Sequence, residues 1–352
     1  MTATPTGSKI TTLLSISHDK DVDGLASAAI AWRYADSKNL KHEVLLTDYG
    51  GFNQVFSKVS LYRNAIIVVT DLGMDETELD LVTSSLSRAI SQGCRVVWLD
   101  HHQWSERSIK AITSLNNKPV LKVNHEYCAA EIAHKVLMPR DEISAELARI
   151  AHDTDFNLRE IDVAGALTDA LSVIRFSALD KRDDLTNAIL PILKSLAKDG
   201  ADGIWDKTTR DLKDPLLSKQ VAFYRKERQK KMKKAIAGHS DLEIHGRLVR
   251  IVELPNGVTT TDLGTYMADA ENLKNDDMQL SVADLLITVS AGGMLGFRRG
   301  SEKVLCNAAA KMFNGGGHPF AAGGEWGMYD DFQAVCNDIF NALQGATDWV
   351  VS

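Results

Sequence analysis

Three short polar clusters in the 352-residue chain each follow directly on an apolar run. TTLLSIS (11–17) runs into His18-Asp19-Lys20-Asp21-Val22-Asp23-Gly24, AIIVVT (65–70) into Asp71, and RVVWL (95–99) into Asp100-His101-His102. Imidazole and several carboxylates without a thiolate suit a hard or borderline divalent cation such as manganese or magnesium better than a structural zinc. Each cluster alone has a plainer explanation, since an Asp after a strand often caps a helix and a His-His pair is often half-buried. Their joint placement at three strand ends favours metal binding. A fourth cluster, Asp153 and Asp155 in ARIAHDTDF, either caps a turn or supplies one carboxylate that closes the coordination shell. Together these groups are enough for two ions, and two ions roughly 3.5–4 Å apart clamp a phosphoester for hydrolysis.

A second kind of chemistry lies near the C-terminus, in MFNGGGHPFAAGGEW. Gly315, Gly316 and Gly317 let the backbone come close to a ligand and turn N–H groups toward an anion, and His318 adds a donor beside them. The Gly-Lys-Ser/Thr ending of a Walker loop is absent. Upstream, GFRRG supplies Arg298 and Arg299; a guanidinium grips phosphate in bidentate fashion, although arginines also serve as a charged strand edge.

Positioning such groups requires a scaffold with ordered strand ends. Over the first ~150 residues, β-branched runs at 11–17, 42–47, 65–70, 95–99 and 119–123 alternate with helical patterns, the signature of βαβ units and a parallel sheet. In such a sheet ligands bind beyond the carboxyl ends of the strands, where the three clusters must meet. From about 129 to 235 the pattern is helical. It includes 220–238, where Arg225, Lys226, Arg228, Lys230, Lys231, Lys233 and Lys234 form either a solvated face or a surface that steers a polyanion. Strand patterns return in LEIHGRLVRIVEL and LLITVSAGGMLGFRR. The expected fold class is therefore α/β, with a doubly wound N-terminal domain whose sheet is mainly parallel, a helical connector and a smaller α/β C-terminal domain. The corresponding boundaries are 1–200, 201–238 and 239–352, with the connector as a hinge.

Composition narrows the function classes. The chain carries 47 acidic against 40 basic residues, a net charge of −7, with 44% hydrophobic residues, which is ordinary globular composition. No apolar stretch reaches the ~20 residues that cross a bilayer, and the first residues lack the basic and apolar regions of an export signal. The four scattered cysteines, Cys94, Cys128, Cys306 and Cys336, form no CxxC pair. These features point to a reducing cytoplasm and no membrane partner. An acidic chain does not wrap duplex nucleic acid by bulk charge, so any nucleic-acid substrate is short and held locally.

In combination, SHDKDVDG, the Asp of VVTDLG, WLDHHQW, AHDTDF and NGGGHPFAAGG resemble the motifs of the DHH phosphoesterase superfamily and its associated C-terminal domain, in the same order. The resemblance implies that His18 and Asp21 hold one metal and Asp23 the other, that Asp71 bridges them, and that His101 and Asp153 complete the second site. Asp100 would orient His101, and His102 would contact the scissile phosphate. The spacing His18-x-x-Asp21-x-Asp23 is one residue shorter than in many members, so His18 and Asp19 remain alternative first ligands. Arg298, Gly315, Gly316, Gly317 and His318 would hold the substrate's terminal nucleotide and phosphate. The layout is most similar to the compact nanoRNases: hydrolysis of short oligoribonucleotides to mononucleotides by water activated at two divalent cations. Manganese is expected, with magnesium and cobalt as alternatives, and a homodimer is compatible with the layout. The alternative substrates are cyclic or linear dinucleotides and 3′-phosphoadenosine 5′-phosphate. A non-catalytic nucleotide- or RNA-binding regulator is the alternative of another class.

Overall fold

The computed structural model describes residues 9–177, 182–269 and 280–351. Two compact units divide the chain, Met1–Ala222 and Phe223–Ser352. In the first unit five strands, β1 (Thr12–His18), β2 (Lys41–Thr47), β3 (Ala65–Thr70), β4 (Arg95–Asp100) and β5 (Val120–Val123), form an all-parallel sheet in the order β2-β1-β3-β4-β5. All five lie within a residue or so of the runs expected from sequence. Strand order reverses between β1 and β3, and the crevice beyond such a switch point is where open parallel sheets bind ligands.

Helices cover both faces. On one side α1 (Val22–Ser37), α5 (Ala129–Leu137), α6 (Glu142–Asp155), α7 (Asp162–Ser177) and α8 (Arg182–Asp199) share a core with Leu46 and Leu99. On the other, α2 (Phe52–Val59), α3 (Leu79–Ser91) and α4 (Glu106–Thr113) pack around Phe52, Phe56 and Trp98. Buried on both sides, the strands are apolar along their length, as in the continuous run of β3. Two short strands, β6 (Trp205–Asp206) and β7 (Asp211–Leu212), interrupt the helical region, and α9 (Pro215–Ala237) carries the chain across the division between the units.

The second unit is a six-stranded sheet of β8 (Ser240–Ile244), β9 (Arg247–Leu254), β10 (Leu285–Ser290), β11 (Met294–Arg299), β12 (Gly316–Gly317) and β13 (Ala321–Glu325), in the order β12-β13-β11-β10-β9-β8. Its helices are α10 (Thr260–Ala268), α11 (Cys306–Lys311) and α12 (Phe332–Gln344). The stretch TDLGTYMADAENL between the two C-terminal strand patterns reads as helical from its sequence, and its residues after Asp269 lie outside the described residues. Among the described residues no helix is long and apolar enough to cross a membrane.

Candidate metal centre

At the end of β1 the chain turns sharply into α1. Asp21 is the N-cap, its Oδ1 accepting the Gly24 N–H at 3.0 Å. Gly24 is required there, because a Cβ at that position would lie 2.2 Å from the His18 carbonyl oxygen. The turn leaves His18 Nδ1 2.9 Å from Asp21 Oδ2 and 3.4 Å from Asp71 Oδ2. Asp71, one residue past β3, is held with φ +56, a left-handed conformation that costs a non-glycine residue energy and is typical of functional sites.

Beyond β4 the two histidines diverge. His101 directs Nε2 toward Asp71 Oδ1 at 3.2 Å and Asp23 Oδ2 at 3.8 Å, and Nδ1 toward Asp155 Oδ2 at 3.6 Å. His102 donates from Nδ1 to Asp100 Oδ1 at 2.8 Å, and the other Asp100 oxygen accepts from Trp104 Nε1 at 2.7 Å. Asp100, expected from the resemblance to orient His101, pairs instead with His102, because both His101 nitrogens face other carboxylates. With its Nδ1 so engaged, His102 keeps Nε2 for the site.

Three triads of donor atoms close enough to share a cation result: His18–Asp21–Asp71, Asp71–His101–His102 and Asp23–His101–Asp155. Asp19 is in none of them, so of the two alternatives in the first motif the structure brings His18 into the cluster. Asp153 is also outside them. Its Oδ1 accepts the Glu160 N–H at 2.8 Å and closes the turn after α6, whereas Asp155 faces His101. Residues two apart on a helix point about 200° apart, so only one of the pair can face the sheet end.

Electrostatics fit a cation-binding role. Burial opposes charge on His18, but the Asp21 and Asp71 carboxylates outweigh it and raise the imidazole to about 10. Burial, then the Asp21 charge, pushes Asp71 well above the usual carboxylate range; burial, then Asp71 and Asp155, does the same to Asp23. Asp100 moves the other way despite its burial, held down by His102 and Trp104. Both His18 nitrogens and Asp71 Oδ2 are buried without a well-aligned hydrogen-bond partner. Orphaned donors and acceptors among mutually repelling carboxylates are what a bound divalent ion would satisfy, and the all-nitrogen-and-oxygen donor set suits manganese or magnesium.

Three features of the centre lie outside the sequence motifs. Asp23 accepts the Ala129 and Ala130 N–H groups, both at 2.7 Å, so the N-terminus of α5 holds it in place. Tyr49 sets its ring edge against His18 and His102, with centroids 6.2 Å apart in each case, and its hydroxyl accepts the Gly73 N–H at 3.3 Å. His125 donates from Nδ1 to the His101 carbonyl at 2.6 Å. Nothing in the spacing of Tyr49 marks it; His125 follows the fifth strand and is findable by the strand-end rule that found the others.

In the second unit, the glycine-rich segment is a hairpin. Gly316 and Gly317 pair with Gly323 and Ala322, and His318 and Ala321 exchange backbone hydrogen bonds across the turn. Gly315 and Gly317 let strands approach, since a Cβ would lie 2.0 Å from the Gly323 carbonyl or 2.8 Å from that of Ala321. A Cβ at exposed Gly316 would meet nothing within 4 Å. Arg298 donates to the Phe297 carbonyl and to Thr261 Oγ1 at 2.9 and 2.8 Å, and with Arg299 it lines a cavity of about 20 Å³ beside α10.

Residues 14–155, which include every side chain of the three triads, match the family described as DHH family, N-terminal domain. No curated protein matches the chain. An exopolyphosphatase-related protein from Bacteroides fragilis is similar over 96% of this chain and 93% of its own, with TM-score 0.54 and 14% identity. RecJ in complex with Mn2+ from Thermus thermophilus aligns with 96% of this chain but 52% of its own, with TM-score 0.54 and 14% identity. PggH, a pGpG-specific phosphodiesterase from Vibrio cholerae, covers 94% of this chain and 98% of its own, with TM-score 0.53 and 13% identity. At these identities the likeness is one of fold, and it extends over both units. The residue motifs and the matched span agree: residues 14–155 are similar to the N-terminal domain of the DHH family.

Proposed function

We propose that the protein is a metal-dependent phosphoric ester hydrolase that cleaves the phosphodiester bonds of short oligoribonucleotides, dinucleotides included, releasing mononucleotides. The observation that carries this reading is the convergence of three donor triads, sharing Asp71 and His101, beyond β1, β3 and β4. His18, Asp21 and Asp71 would hold one divalent cation, and Asp23, His101 and Asp155 the other, with Asp71 within reach of both. Manganese is the expected ion. Bound there, the ions would activate water and neutralise charge on the phosphate.

The chain's own residues supply the rest. Asp100 fixes the His102 ring and favours its imidazolium, whose Nε2–H is a donor for a non-bridging phosphate oxygen. Helix α5 holds Asp23 in one orientation, so its carboxylate does not need to reorganise on binding. In the second unit, Arg298, His318 and the exposed Gly316 backbone are proposed to hold the substrate's terminal phosphate.

The test is a manganese-dependent cleavage panel of RNAs from two to twenty nucleotides, with cyclic dinucleotides, 3′-phosphoadenosine 5′-phosphate and inorganic polyphosphate alongside. Mononucleotide release that falls away beyond about five nucleotides is the expected result. Asp71→Ala and His101→Ala should each lower kcat/KM at least a hundredfold. Wild-type rates in both variants would remove the metal-centre assignment, and binding without product under excess manganese would favour a regulator.

A further inference from the structure

Directly after Asp155 the chain turns through Phe156, Asn157, Leu158 and Arg159, and two apolar side chains are left in water there: Phe156 is 41% exposed and Leu158 48%. Their backbone is tightly built. Phe156 N–H donates to the His152 carbonyl at 3.0 Å, Leu158 N–H to the Asp153 carbonyl at 2.9 Å, and Asn157 and Arg159 take left-handed conformations at φ 56 and 64. His152 stacks on the Phe156 ring, with centroids 4.4 Å apart and planes 30° apart. The imidazole is locked in turn, donating from Nδ1 to Glu131 Oε2 at 2.9 Å. Glu131 also accepts the Cys128 N–H at 3.0 Å, at the start of the helix whose first amides hold Asp23. The stacked pair is thus braced to both Asp155 and Asp23 of one triad.

We propose that the Phe156–His152 stack is a nucleobase subsite, which restricts the substrate to nucleotides; this rests on the hydrolase reading of the adjacent centre. Phe156, next in the chain to Asp155 of an acidic, cation-binding centre, leaves 41% of its surface in water and so forgoes part of the burial that a phenyl ring contributes to folding. A rigid π face with one side backed by imidazole offers stacking to any base, and such stacking is sequence-tolerant. Leu158 extends the apolar shelf. An inorganic polyphosphate has nothing to place there, so the shelf separates two phosphoanhydride or phosphoester substrates that the metals alone would treat alike.

The experiment uses the manganese-loaded full chain. Calorimetric Kd values for adenosine 5′-monophosphate and for ribose 5-phosphate, which lacks the base, are compared in wild type, Phe156→Ala and Phe156→Tyr. Wild type should bind the nucleotide about tenfold or more tighter than the sugar phosphate, Phe156→Ala should erase that gap, and Phe156→Tyr should restore it. On a diadenylate substrate, Phe156→Ala should raise KM by the same factor and leave kcat unchanged. The proposal fails if wild type binds both ligands equally, or if Phe156→Ala weakens both alike. Should wild type cleave no phosphodiester, the hydrolase reading falls while the binding comparison still decides the subsite.

Discussion

Asp153 and Asp155 illustrate how much depends on the phase of one helical turn. Both are acidic and both belong to the same motif, but Asp155 faces His101 at 3.6 Å while Asp153 ties down the Glu160 N–H. Asp155→Asn should therefore lower kcat/KM for a dinucleotide by about a hundredfold and weaken manganese binding. Asp153→Asn should act on stability, at about 1 kcal/mol for a weakened hydrogen bond, with a smaller effect on turnover. Urea midpoints and manganese titrations of the two variants check this, and a reversed pattern would return the metal to Asp153. The residue types at His18, Asp21, Asp23, Asp71, His101 and His102 were readable in the sequence because they follow apolar strand-like runs. Which carboxylate of a close pair points inward was not, since it is set by where α6 ends. The partner of Asp100 was likewise hidden: neighbouring histidines turn their rings apart, and sequence order says nothing about which ring finds the buried carboxylate.

The elements that carry these residues are specified locally, but their order is not. Alternating apolar runs and amphipathic segments made all five parallel strands visible, whereas the β2-β1-β3-β4-β5 order follows from the side of the sheet on which each helix packs. The glycine run was ambiguous for a related reason, since backbone freedom serves an anion cradle and a close strand pair equally, and only the positions of Gly323 and Ala321 show that Gly315 and Gly317 are needed for the hairpin. Strand β2 offers a test of packing at this scale. His42 lies with its Nε2 2.8 Å from Ser15 Oγ and its ring 4.6 Å from that of Trp32, and burial lowers its pKa to about 4. Below pH 6.5 the unfolded chain takes up a proton that the folded chain refuses until about pH 4, so stability is lost as pH falls through that window. The loss should reach about 3 kcal/mol. Urea denaturation of wild type and His42→Asn between pH 7.5 and 4 should show the two stabilities converging with acid; parallel curves would mean that His42 titrates normally.

For the molecule as a whole, the net charge of −7 weighs against the proposed polyanionic substrate only if the charges are spread over the surface, and several of them are not. Asp21, Asp23, Asp71, Asp100 and Asp155 all stand in or beside one centre, where burial and mutual repulsion raise Asp23, Asp71 and Asp155. Such a cluster stores unfavourable energy that a bound cation releases, which links metal binding to the stability of the fold. Without metal, Asp71→Asn should be more stable than wild type by about 1–2 kcal/mol, because a neutral amide replaces a carboxylate whose charged form is disfavoured there. Adding manganese should reverse the order. An ion that binds only the folded chain stabilises it by about 2.7 kcal/mol at a hundred times its dissociation constant, and the variant, lacking the group shared by two triads, should gain far less. Thermal melts of both proteins in chelator and in manganese would show the crossing. If Asp71→Asn is less stable under both conditions, the Asp71 carboxylate is chiefly a structural partner of His18, and the cluster is held together by that pair instead of being poised for a cation.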